Sequence, residues 1–218
     1  MIKIHKLDLV VALYIFGVMT AELMGSKTFP LISHFNASVA IFVVPMLFTM
    51  INSVTEVYGR ARARSIVYSG FIVISLLILY MWLATSLPSS YRFKQNEQSY
   101  DTIFHSALRI SLASLTAFAI SELLDVAIFV RIREALKGKA LWFRTNLTSF
   151  TAQFMDVLVF IFLAFYSVSL SFGANINFLF SLIIPYWLIR CGLTIIETPL
   201  VYVGVWWLKE DRNDHNTY

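Results

Sequence analysis

The chain has 218 residues, 58% of them hydrophobic and only 14% charged, with a mean hydropathy of +0.72. Soluble domains carry about a quarter charged residues, so this composition excludes an ordinary soluble fold and points to an integral membrane protein. The formal net charge is +4, and no Gly-x-x-x-x-Gly-Lys loop occurs, so the chain holds no nucleotide phosphates in that way.

Six apolar runs are long enough to cross about 30 Å of hydrocarbon. They occupy residues 7–25, 38–56, 64–87, 106–130, 147–169 and 178–207. Lipid tolerates only helices or closed barrels, and these runs are continuous rather than alternating, so the expected fold is an all-α bundle of six transmembrane helices in one domain spanning 1–218, without strands. The first run follows Lys3 and Lys6, as a signal peptide would. It is too long for one and lacks a clean small-residue cleavage site, so an uncleaved helix is expected. Its row of Gly17, Ala21 and Gly25 allows close backbone approach, first to a neighbour within the chain and second to another subunit.

The second run ends in NSVTEVYG, which sets Asn52 and Glu56 on one face at its end. The polar segment SLPSSYRFKQNEQSYD (86–101) is expected as a loop. The fourth run contains SELLDVAIF, with Glu122 and Asp125 one turn apart. In the fifth, TNLTSFTAQFMDVLVFIFLAF (145–165), Asn146, Ser149, Gln153 and Asp156 recur every three or four residues and so share one helical face. The sixth repeats the pattern with Arg190, Thr194 and Glu197, and Pro185 and Pro199 are expected to interrupt it.

The basic residues orient the bundle. Twelve lie in the tails and in the 56–64 and 131–146 loops, whereas only Lys27, Arg92 and Lys94 lie in the loops of the opposite side. This positive-inside bias predicts that both termini are cytoplasmic, in agreement with an even helix count. It also accounts for the basic pI of about 9.2 and leaves no case for a nucleic-acid surface. Cys191 is the only cysteine and reads as a small packing residue, and His5, His34, His105 and His215 show no ligand spacing. No metal and no cofactor is expected.

A charged residue at a helix centre costs roughly 2.5–3.5 kcal/mol on insertion scales. Glu122, Asp125, Asp156 and Glu197 nevertheless stand against a single intramembrane base in this reading, Arg190. That guanidinium should be held by at least one acid of a neighbouring helix. Glu56 and Glu22 fall near helix ends, where a solvated carboxylate needs no special account. Asn, Gln and Ser can simply bond between helices. A group of four acids fits a cavity for a ligand rich in hydrogen-bond donors better than it fits a scaffold. An intramembrane aspartyl hydrolase using Asp125 and Asp156 would want a Gly-x-Gly-Asp motif, which is absent. The expectation is a transporter of a small molecule and not an enzyme.

The segments NSVTEVYG (52–59), SELLDVAIF (121–129), RTNLTSFTAQFMD (144–156) and ETPLVYVGVWWLK (197–209) resemble the signature segments of the queuosine precursor transporter family, within the vitamin-uptake-transporter group. The resemblance implies six transmembrane helices like those of the substrate-binding subunits of energy-coupling vitamin transporters. It implies import of 7-deazaguanine bases, such as 7-cyano-7-deazaguanine, across the bacterial inner membrane for tRNA queuosine, with another vitamin-like heterocycle as the alternative. A homodimer or an energising partner module is compatible with it. The residues fit this implication: a guanine-like edge presents two adjacent donors and a carbonyl, which Asp156, Gln153, Asn146, Ser149, Glu122, Asp125, Arg190, Glu197 and Asn52 could meet. Phe150, Phe154 or Tyr186 could stack on the ring.

The orientation is open to a direct check. A cysteine at Ser90 should react with a membrane-impermeant reagent in intact cells, and one at Gly138 should be protected. The reverse pattern would invert the topology.

Overall fold

In the computed structural model, the described residues are 5–32, 35–135 and 141–215; side chains are described for these except 31–32, 121–150, 152, 193–198 and 211–215. The elements, in order, are α1 (Lys6–Met24), β1 (Thr28–Ile32), β2 (Phe35–Ser38), a 3₁₀ turn (Val39–Phe42), α2 (Val44–Tyr58), α3 (Arg60–Ser86), α4 (Glu97–Ala135), α5 (Leu141–Phe165) and α6 (Phe172–His215). Among the described residues, five segments are long and apolar enough to cross a membrane: Lys6–Met24, Val39–Tyr58, Arg60–Ser86, Glu97–Ile120 and Phe172–Gly192. Gln153–Phe165 is a shorter apolar helical stretch. Many large apolar side chains are exposed, including Phe16, Ile72, Leu76, Trp82 and Trp206. Such a surface suits lipid rather than water.

The structure departs from the sequence reading in several places. The expected absence of strands is corrected by the short hairpin β1–β2, whose Thr28, Phe29, Ile32 and Phe35 favour extended backbone. The loop expected over 86–101 is shorter, because α4 already begins at Glu97. The helix α6 runs through Pro185 and Pro199 without a break. Pro185 frees the carbonyl of Ser181, and it does so where polar groups are at hand: Asn36 Nδ2 donates to Ser181 Oγ at 3.0 Å.

The chain divides into two compact units. The first comprises residues 1–28, 38–108 and 192–218 and holds α1, α2, α3 and the ends of α4 and α6. Here α1 packs on α2, α3 and the 3₁₀ turn. The small-residue row of α1 is used internally, as expected. A Cβ at Gly17 would stand 2.7 Å from Leu47 Cδ2 and 3.2 Å from Val43 Cγ1, and one at Gly25 would stand 3.6 Å from Ala40 Cβ. The buried carbonyl of Gly25, at the C-terminus of α1, is satisfied by Ser38, whose Oγ donates to it at 2.6 Å and accepts from Ala40 N–H at 3.2 Å.

A single residue, Gly59, joins α2 to α3 with φ of +86° and ψ of 165°, a backbone state almost restricted to glycine. The start of α1 meets the end of α6: Lys6 Nζ donates to Glu210 Oε2 at 2.7 Å and to the Trp207 carbonyl at 3.0 Å. The two ends of the helical chain therefore lie together.

The second unit comprises residues 29–37 and 109–191. In it α5 and the first half of α6 form an antiparallel pair around Val157, Ile161, Leu179, Leu182 and Ile183. The turn between them is closed by Asn175, which is 1% exposed. Its Oδ1 accepts from Ser167 N–H at 2.9 Å, and its Nδ2 donates to the carbonyls of Ser167 at 2.7 Å and Leu170 at 3.1 Å. Arg109 of α4 donates to the carbonyls of Leu163 at 2.9 Å and of Tyr166, capping the C-terminus of α5.

The Asn175 clamp generates a prediction. Asn175→Ala strands a buried N–H and several carbonyls and should cost about 2–3 kcal/mol, lowering Tm of the detergent-purified protein by about 5–10 °C. Asn175→Asp keeps the acceptor but loses both donors and should be no better than alanine. An unchanged Tm in both variants would show that the turn does not hold the pair.

Candidate substrate site

One face of α5 changes character along its length. Gln153 sits one turn before Val157 and Ile161, so the row that buries aliphatic side chains toward the C-terminus of the helix carries an amide at its other end. Asp156 follows Gln153 by three residues on the neighbouring edge of that face. On α6 the buried row of Leu179, Leu182 and Ile183 likewise continues to Tyr186 and then Arg190. Two apolar stripes that zip together near the turn thus end in polar groups, and those groups meet.

Arg190 Nη1 donates to Asp156 Oδ2 in an ion pair between α6 and α5. The expectation that an acid of a neighbouring helix holds Arg190 is met by Asp156. The pair is largely but not wholly enclosed, with side-chain exposures of 23% for Arg190 and 21% for Asp156. Among the described residues Asp156 Oδ1 accepts no hydrogen bond. Aromatic residues stand close to both members of the pair in sequence. Phe154 and Trp187 meet edge to face with centroids 5.5 Å apart and planes at 79°, and Tyr186 packs against the same aliphatic cluster. The indole N–H of Trp187 is buried and meets no acceptor among the described residues.

Of the residues picked from the sequence, the structure brings Asp156 and Arg190 into contact and places Gln153 a turn from Asp156. Asn52 and Glu56 are exposed on α2 of the first unit. The side chains of Glu122, Asp125, Asn146, Ser149, Phe150, Thr194 and Glu197 lie outside the described residues. Glu22 corrects its reading as a solvated carboxylate: it is 6% exposed on the face of α1 that also buries Val10, Tyr14 and Val18. It falls near the end of α1, but the 3₁₀ turn packs on that helix. Arg190 is also not the single arginine of the predicted spans, because Arg109 falls within the fourth. The sequence gives no sign of the carbonyls that Arg109 caps. Asn175 was missed for the same reason: it sits in what reads as a polar turn.

Five membrane-length segments among the described residues define a multi-pass integral membrane protein. The chain belongs to the family described as "Putative vitamin uptake transporter", which matches residues 38–204. It is 26% identical over 199 residues to the "Probable queuosine precursor transporter" of Bacillus subtilis (strain 168), covering 90% of this chain and 83% of that protein. It is 27% identical over 135 residues to the "Queuosine precursor transporter" of Escherichia coli (strain K12), covering 61% of this chain and 57% of that protein. A third relative, the "Probable queuosine precursor transporter" of Haemophilus influenzae, is 26% identical over 160 residues, covering 69% of this chain and 64% of that protein. The chain thus spans less than two thirds of the second and third relatives. No solved structure matches it.

Proposed function

We propose that this protein imports queuosine precursors, 7-deazaguanine bases such as 7-cyano-7-deazaguanine, across a bacterial inner membrane. The observation that carries the reading is the Asp156 carboxylate, set between α5 and α6 against Arg190, in a chain similar to proteins named as queuosine precursor transporters. A guanine-like base offers a ring N–H and an exocyclic amine side by side, and a carboxylate can accept both. Gln153 and the buried indole N–H of Trp187 supply donors for the ring carbonyl. Phe154 and Tyr186 supply ring faces for a flat ligand. Asn146, Ser149, Glu122, Asp125, Glu197 and Asn52 are further candidates from the sequence.

The same reading has six crossings and cytoplasmic termini. The 25 residues of α5 extend over about 37 Å, enough for a sixth crossing. The meeting of Lys6 with Glu210 suits an even number. The protein acts as a transporter and not as an enzyme, with the bilayer and a small molecule as its partners.

Asp156→Asn keeps the shape of the side chain but replaces an acceptor-only group with one that also donates. Against a donor-donor edge this should weaken binding of 7-cyano-7-deazaguanine by about 2–3 kcal/mol, on the order of a hundredfold. The measurement is the Kd of purified variant and wild type at matched folding. Unchanged affinity and unchanged uptake would remove Asp156 from the function.

A further inference from the structure

We propose that the outward face at the start of α3 is a seat for an anionic phospholipid. Arg62 and Arg64 hold its phosphodiester headgroup, and the apolar stripe beyond them takes an acyl chain.

The seat follows from helical spacing. Successive residues of a helix turn by about 100°, so Gly70, Ile74 and Met81 mark one buried face of α3. Opposite them run Ala61, Ser65, Ile72 and Leu76, all exposed. Arg62 and Arg64 are exposed as well and fall on the two edges of this stripe, about 80° to either side of its middle. Ala61 and Ser65 are small, so the two arginines stand on either side of a low notch. The whole of α3 is long and apolar enough to cross a membrane, and its charged residues all lie in its first five positions. That end therefore sits at a headgroup layer. Helical side chains lean toward the N-terminus of their helix, which here carries the guanidinium groups toward that layer.

The electrostatics favour an anion at this place. The start of α3 carries Arg60, Arg62 and Arg64 and no acid, at the positive end of the helix dipole, where cations are disfavoured. Gly59 before them has no side chain that could cap the helix. Neither Arg62 nor Arg64 forms an ion pair or a hydrogen bond among the described residues, whereas Lys6 has Glu210. The positive-inside bias asks only for charge on one side of the membrane, and any spacing of the arginines would meet it. Two arginines straddling the exposed stripe are a narrower arrangement. A phospholipid matches it in order, with phosphate oxygens for the guanidinium forks and then hydrocarbon for Ile72 and Leu76. A lipid of net negative charge fits better than a zwitterionic one, whose own ammonium would face the arginines.

Native mass spectrometry of the detergent-purified protein, with dioleoylphosphatidylglycerol and dioleoylphosphatidylcholine at equal concentration, tests the seat. Wild type should retain the phosphatidylglycerol preferentially. Arg62→Gln and Arg64→Gln should each lower its apparent affinity about fivefold, and the double variant about thirtyfold. Lys209→Gln removes an exposed charge at the end of α6 and should leave the affinity unchanged. Ala61→Trp fills the notch, keeps both arginines and should weaken the lipid about tenfold. The single variants and Ala61→Trp carry the test should the double variant fail to fold.

No preference in wild type, or an unchanged affinity in both single variants, would overturn the proposal. An equal loss in Lys209→Gln, or none in Ala61→Trp, would leave only a diffuse attraction to surface charge and overturn the seat. Displacement of the lipid by water-soluble glycerophosphoglycerol at the same concentration would make the ligand a free phosphodiester and overturn the lipid as occupant.

Discussion

The ion pair between Asp156 and Arg190 is the constraint on which the second unit depends. Neither charge is tolerable alone in hydrocarbon, and each sits on a helix whose remaining inward face is aliphatic. The pair therefore fixes the register of α5 against α6 at one end, and Asn175 fixes it at the turn, with Val157, Ile161, Leu179, Leu182 and Ile183 packed between. Slipping either helix by a residue would part Asp156 from Arg190. A charged pair held this way contributes little net stability but specifies one arrangement strongly, which is what a ligand site needs.

The first unit shows the other use of rare residues in a membrane chain. The segments NSVTEVYG and ETPLVYVGVWWLK carry much of the family likeness, and part of what they do is packing. A Cβ at Gly204 would overlap Ser53 Oγ, so α2 and the last part of α6 approach closely through these two small residues. Ser53 Oγ meanwhile donates to the Thr49 carbonyl at 2.8 Å and so carries no unsatisfied group into the contact. Gly59 then reverses the chain in one residue. Asn52, beside Ser53, is exposed. A signature motif here mixes a glycine needed for backbone geometry, a serine needed for close approach and polar groups free for other roles.

Most of the helices were legible because a long apolar run has one stable form in lipid. The partner of Arg190 was legible in kind, since a guanidinium among acids must find one, and only the geometry says that it is Asp156. The hairpin at Thr28–Ser38 was not legible, because a few β-favouring residues between two helices compete with every other loop form. Arg109 and Asn175 were missed because capping depends on which carbonyls come within reach, a tertiary fact that spacing along one helix does not carry. Glu22 was misread because its place near a helix end suggested water, whereas it lies on the buried face of α1 with Val10, Tyr14 and Val18. The start of α4 at Glu97 was missed because a polar first turn, EQSYD, lies ahead of the apolar run that marked the helix in the sequence.

The central claim is that the Asp156 carboxylate serves a donor-rich 7-deazaguanine base. Its most direct test is uptake of radiolabelled 7-cyano-7-deazaguanine into cells that cannot make the precursor and that express this chain alone or with Asp156 replaced. The account predicts label in the cells and queuosine in their tRNA with the native chain, and neither with the replacement. Uptake equal to that of cells without the chain, with the protein folded in the membrane, would contradict it.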